Sequence, residues 1–137
     1  MRTKVFQKVP PHRIGRINKN NVKIEPHEDS TIVHLSQFGI DIELVKPKNG
    51  NKIKNADIYM MGSLWEMKSP TSNKEDTIKK DFRKASSQSD RVIFDLRRIR
   101  KNSEYVEKCL IKIFSGRGRV RKIMIIRHNG EVIEFYK

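Results

Sequence analysis

The chain has 137 residues, enough for one domain that buries its own core, and its single cysteine, Cys109, excludes both a disulfide framework and a multi-cysteine zinc site and points to a reducing compartment. No apolar run is long enough to span a bilayer, and the N-terminus lacks the apolar segment of a signal peptide. A net charge of +14, from 30 Lys and Arg against 16 Asp and Glu, suits a polyanionic partner, and no strongly amphipathic helix with an aromatic face argues for a membrane surface instead.

Residues 1–26 hold seven Lys or Arg and one acid, Glu25, with prolines at 10, 11 and 26 and a polar turn at 18–21. They read as a basic N-terminal extension with short strands near 3–9 and 22–25. From Glu28 to about Gln37 the pattern is helical, with Ile32 and Leu35 on one side and Gly39 as a stop. Ile40 to Val45 alternates apolar and acidic, which is a strand pattern. Pro47 to Asn55 is a basic loop. Ala56 to Met60 and Leu64 to Lys68 are strand-like runs around Gly62-Ser63, a hairpin.

Lys74 to about Ser87 is predicted helical, with Ile78, Phe82 and Ala85 as its core stripe and Lys79, Lys80, Arg83 and Lys84 on its solvent side. Val92 to Leu96 is a short buried strand. Ser103 is the expected cap of a further helix with Val106, Cys109, Leu110 and Ile113 inside. Ile123 to Ile126 and Val132 to Tyr136 form a closing hairpin around Asn129-Gly130. The order is helix, three strands, helix, strand, helix, hairpin. It predicts an α/β (α+β) fold with a mixed central sheet and flanking helices.

Chemistry gathers on the first hairpin. In Leu64-Trp65-Glu66-Met67-Lys68, strand alternation puts Glu66 and Lys68 on one face and Trp65 and Met67 on the other. A Gly62-Ser63 loop sets Asp57 opposite Lys68, and a Met61-Gly62 loop sets it opposite Glu66. Either two-residue turn gathers Asp57, Glu66 and Lys68, whereas a three-residue loop moves Asp57 to the Trp65 face. Two carboxylates and an ammonium suit phosphodiester hydrolysis, because hard oxygens bind Mg²⁺-like ions and a lysine offsets charge on the phosphate. A surface salt bridge has the same spacing, but a strand that must bury Trp65 and Met67 between helices leaves Glu66 little free solvent.

Ala56-Asp57, eight residues, then Glu66-Met67-Lys68 resembles the D…ExK signature of PD-(D/E)XK nucleases, with Ala56 in place of the usual proline. More specifically, residues 27–96 resemble the tRNA-nuclease C-terminal toxin domain of CdiA proteins in contact-dependent growth inhibition. The matching stretches are His27-Glu28 through Thr31, Leu35 and Gly39; Asp57; Leu64-Trp65-Glu66-Met67-Lys68-Ser69-Pro70; and Arg83-Lys84-Ala85-Ser86 with Gln88-Ser89-Asp90-Arg91-Val92. Ile32 stands where the family pattern leads one to expect alanine, and neither residues 1–26 nor the tail from Arg97 match. The resemblance implies an αβββαβ core within a nuclease-like domain over 27–137. It implies a Mg²⁺- or Mn²⁺-dependent endonuclease with Asp57, Glu66 and Lys68 at its centre, Glu28 as a further acid and metal ligand beside Asp57 and Glu66, and Gln88 as a polar contact. It also implies a tRNA substrate, with DNA second, an immunity protein as partner, no small-molecule cofactor, and action in the cytoplasm after delivery as part of a larger toxin. Met1 suits a stand-alone protein as well.

Other signals are weaker. His12, His27, His34 and His128 invite a metal-free ribonuclease reading, with His27 and His34 two turns apart on one helix, but no spacing makes it specific. Gly116-Arg117-Gly118-Arg119-Val120-Arg121-Lys122 lacks the Gly-Lys-Ser/Thr ending of a P-loop and reads as a phosphate-contacting loop. Lys79, Lys80, Arg83, Lys84, Arg117, Arg119 and Arg121 are the expected nucleic-acid contacts, and Arg97, Arg98, Arg100 and Lys101 add to the basic surface. Trp65, Tyr59 and Phe38 lie in apolar patterns and are expected in the core.

Overall fold

In the computed structural model, which describes residues 1–46 and 58–137, parallel strands at the centre are extended on both sides by antiparallel ones. The strands are β1 (Arg2–Val5), β2 (Ile17–Asn18), β3 (Ile42–Leu44), β4 (Ile58–Met60), β5 (Ser63–Lys68), β6 (Arg91–Asp95), β7 (Lys122–Ile126) and β8 (Val132–Tyr136). The helices are α1 (Pro26–Ser36), α2 (Glu75–Gln88) and α3 (Ser103–Ser115), with a short 3-10 turn at Pro11–Arg13. Among the described residues one sheet runs β1-β8-β7-β6-β5-β4-β3-β2. β5, β6 and β7 are parallel neighbours, whereas the β3–β4–β5 and β7–β8–β1 pairs are antiparallel.

Two cores follow from the alternation of these strands. Val92, Phe94, Ile123, Ile125, Ile133 and Phe135 face α2 and α3, meeting Ile78, Phe82, Val106, Leu110 and Phe114. Ile42, Ile58, Met60, Trp65, Met67, Ile93 and Met124 face the other way, onto Ile32 and Leu35 of α1. Two successive crossovers in one direction carry α2 and α3 to the same face, as right-handed connections require. The element order from α1 to β6 is the expected αβββαβ.

Local differences have local causes. The N-terminal strands are Arg2–Val5 and Ile17–Asn18, and 22–25 is not a strand; Val22 and Ile24 instead pack against the α1-side core just before that helix begins. β1 pairs with β8 and β2 with β3, so residues 1–18 reach both edges of the sheet. The segment between them is held by Val9 and Gly15 N–H donating to the carbonyls of Gln37 and Ser36. At Gly15 a Cβ would sit 1.8 Å from the Ile40 carbonyl oxygen, so only glycine fits there. The cap of α3 is Asn102 in the left-handed region (φ 60°), not Ser103, which is the first helical residue. Tyr59 is 43% exposed, against the expectation that it is core, because α2 and α3 leave that face of the β3–β4 end uncovered. Trp65 and Phe38 are buried.

Candidate functional site

β5 pairs with β4 over residues 63–65 and with β6 over residues 66–68. The turn between β4 and β5 is Met61-Gly62, with φ of 50° and 78°, a left-handed pair that matches strand twist. This is the register for which the sequence reading sets Asp57 opposite Glu66; Asp57 itself lies outside the described residues. Beyond Trp65 no described residue pairs with β5 on its β4 side.

A pocket of about 320 Å³ is lined there by Glu66, Lys68 and Ser69 from β5 and its exit, and by His27, Glu28 and Thr31 from α1. Glu66 is 6% exposed, and Lys68 Nζ lies 3.8 Å from Glu66 Oε1, an ion pair too long for a hydrogen bond. Glu28 sits at the third position of α1, where its Oε1 accepts the Glu25 N–H at 2.9 Å. That bond helps start the helix and leaves one Glu28 oxygen for other partners. Gln88 ends α2 and is not among the lining residues; its Oε1 is buried with no hydrogen-bond partner among the described residues.

The floor of the pocket is fixed by a network the sequence reading did not single out. Thr31 donates from Oγ1 to Asp95 Oδ2 at 2.6 Å, and Arg97 binds the same carboxylate through Nε and Nη2. Arg97 Nη2 also donates to the Ser30 carbonyl at 3.0 Å. Burial pushes the Asp95 carboxyl up, but the Arg97 and Thr31 hydrogen bonds outweigh it and hold it below the usual carboxylate range. An acid at the end of a predicted buried strand, two residues before an arginine, was the available signal.

The two helix histidines part company. His27 lines the pocket, whereas His34 bonds the Gly130 carbonyl at 2.7 Å under the β7–β8 turn. Burial holds the His34 imidazole below its ordinary value despite the opposing effect of that bond. The expected basic surface splits as well. Lys79 and Arg83 of α2 share a groove of about 370 Å³ with Arg117 and Arg119, over a floor that includes Phe82 and Phe114. Lys80, Lys84 and Arg121 are exposed and do not line it.

Glu28 and Glu66 are hard oxygen donors in one pocket, the donor chemistry of a Mg²⁺- or Mn²⁺-type ion. Among the described residues no cluster of three or more His, Cys, Asp or Glu side chains is close enough to hold a metal, so the described part offers two carboxylates of a shell.

A mixed sheet between one helix and two, with an acid–lysine pocket where a central strand exchanges partners, defines a small α+β domain built around a polar site. Residues 54–132, more than half of the chain, match the family model described as the contact-dependent growth inhibition CdiA C-terminal domain. The chain belongs to that family. Its fold is similar to a chain of the CdiA-CT/CdiI toxin and immunity complex from Burkholderia pseudomallei, with a TM-score of 0.68 and 17% identity over 90% of this chain and 100% of that one. No curated protein is similar enough in sequence to match.

Proposed function

We propose that this domain is a toxin acting as a divalent-metal-dependent endonuclease of the PD-(D/E)XK type, with RNA as substrate, tRNA first and DNA second. The observation that carries the reading is the buried Glu66 paired with Lys68 in a pocket shared with Glu28. Glu66 and Glu28, with Asp57, would hold a Mg²⁺ or Mn²⁺ ion. Such an ion, when bound, offsets the charge of the phosphate and lowers the pKa of a nearby water. Lys68 Nζ orients the attacking water and balances charge that grows on the phosphate oxygens, at a site where burial strengthens its effect. Thr31 and Asp95 tie α1, and with it Glu28, to β6, the strand that pairs with β5. Lys79, Arg83, Arg117 and Arg119 hold the substrate backbone away from the pocket, with Lys80, Lys84 and Arg121 adding to the field.

The similar solved structure is a toxin and immunity complex, which supports an immunity protein as the partner here, and the +14 charge favours an acidic one. The family supports delivery as part of a larger protein, with action in the cytoplasm of the recipient cell.

The test is incubation of the chain with total tRNA and with plasmid, with Mg²⁺ or with EDTA. Cleavage is expected only with the metal, and Glu66→Gln and Lys68→Ala are each expected to lower it by about a hundredfold or more. Cleavage that persists in EDTA, or in both variants, would overturn the reading.

A further inference from the structure

The loops after β5 and β6 leave the sheet at one edge, because these strands are parallel neighbours. In open sheets of this kind, ligands sit outside the carboxyl ends of the strands. Two hydrogen bonds stitch the loops together. Arg98 Nη1 donates to the Ser69 carbonyl at 2.9 Å, and Asn73 Nδ2 donates to the Lys101 carbonyl at 3.1 Å. Between the loops lies a cavity of about 700 Å³ lined by Thr71, Ser72 and Asn73 on one side and Arg98, Arg100 and Lys101 on the other. No acid lines it.

This cavity adjoins the Glu66–Lys68 pocket. Ser69, whose carbonyl anchors Arg98, lines that pocket, and Thr71 two residues later lines the cavity. The stronger basic run in the sequence, Arg117 to Lys122, ends at the first residue of β7 and lies at the opposite, amino edge of the parallel strands. A five-residue strand separates the two edges by roughly 17 Å. Unlike that run, Arg98, Arg100 and Lys101 lie at the same edge of the sheet as the candidate reactive centre.

We propose that this cavity seats the phosphodiester backbone of a nucleic-acid strand immediately beside the phosphate that is cut. The inference rests on the nuclease reading above and names the substrate-positioning part of that site. Its lining has the required chemistry. All three cations are exposed. Arg98 uses one of its donors on Ser69 and keeps the rest. The Ser72 hydroxyl accepts the Lys74 N–H at 3.1 Å and still has its own proton to donate. Such contacts position a strand without reading its sequence.

The test measures binding and cleavage side by side. Fluorescence anisotropy with labelled tRNA, over a salt series, compares Glu66→Gln alone with the same chain carrying Arg100→Glu and Lys101→Glu. A charge-matched control carries Lys8→Glu and Arg13→Glu, exposed residues remote in sequence from either cavity. Cleavage of total tRNA is followed with the same pairs in the wild-type background. The cavity pair is expected to weaken binding about tenfold beyond the control, to lower the salt slope by about two, and to slow cleavage in step. Arg100→Gln with Lys101→Gln, a milder pair, serves if the reversal alters the unfolding midpoint. Cleavage by the wild type, with the cavity pair no weaker than the control in binding or rate, would overturn this inference and leave the nuclease reading standing. Salt-dependent binding that the cavity pair weakens, without cleavage by the wild type, would overturn the nuclease reading and support the cavity as a backbone seat. A wild type that neither binds nor cleaves would overturn both.

Discussion

Asp95 is 2% exposed, yet its carboxylate stays ionised because donors surround it: Thr31 Oγ1, the Arg97 guanidinium and the Arg97 backbone N–H. It holds the middle of α1 one helical turn beyond Glu28, so a single side chain connects the stability of the fold to the shape of the pocket. Asp95→Asn keeps the volume but removes the charge that Arg97 faces. It is expected to cost about 2–3 kcal/mol, read as a lower urea midpoint with an unchanged slope. The sign of the pH effect follows from the lowered folded value. The folded state binds fewer protons than the unfolded chain below about pH 4, so the contribution of Asp95 is complete above that pH and is lost as pH falls through the folded value. Unfolding curves between about pH 5 and 2 should therefore fall more steeply for the wild type than for Asp95→Asn. Parallel curves would show that Asp95 is not the titrating group.

At the scale of the element, the β4–β5 hairpin asks Met61 to adopt a left-handed backbone (φ 50°), which its Cβ crowds and which Gly, Asn and Asp tolerate better. Asn-Gly is the preferred pair in such a turn, so Met61→Asn is expected to stabilise by about 1 kcal/mol and raise Tm by a few degrees. No change, or a lower Tm, would mean that Met61 contributes a contact that its 46% exposure does not reveal. This hairpin also shows what was legible in the sequence. Alternation and a short turn are local, so the face shared by Glu66 and Lys68 and the burial of Trp65 and Met67 could be read from five consecutive residues. The stripes of α1 and α2 were readable for the same reason. The pairing of β1 and the whole of β2 were not, because each gains its meaning from a partner far along the chain: β2 is two residues long and pairs with β3 only once the segment before α1 has crossed the molecule. Tyr59 was misread because periodicity reports which residues share a face and not whether a helix covers it. Of the candidate site, Glu28, Glu66 and Lys68 were singled out from the sequence and line one pocket, whereas Asp57 lies outside the described residues. The stitching of two loops into a basic cavity depends on β5 and β6 being parallel neighbours, which no short stretch encodes.

Across the whole molecule, residues 1–18 close the sheet at both ends. β1 covers β8, a strand that reads Val132-Ile133-Glu134-Phe135-Tyr136, and β2 covers β3. β1 itself is exposed along its length and carries Arg2 and Lys4, charges that discourage a further strand from adding to it. The basic N-terminal segment thus blunts the edges of the sheet as well as adding to the positive field. Deleting residues 1–18 leaves the β5–β6–β7 centre and both helix layers but uncovers the paired groups of β8, whose side chains are strongly apolar. The truncated chain is expected to keep its helical circular dichroism while self-associating at micromolar concentration, seen as a dimer or larger species by size-exclusion chromatography with light scattering. Adding Val132→Lys would not relieve this, since Val132 is buried against the α1-side core, whereas restoring β1 as a separate peptide of residues 1–7 should return the chain to a monomer. A truncated chain that stays monomeric without the peptide would show that the β8 edge is protected by something other than β1.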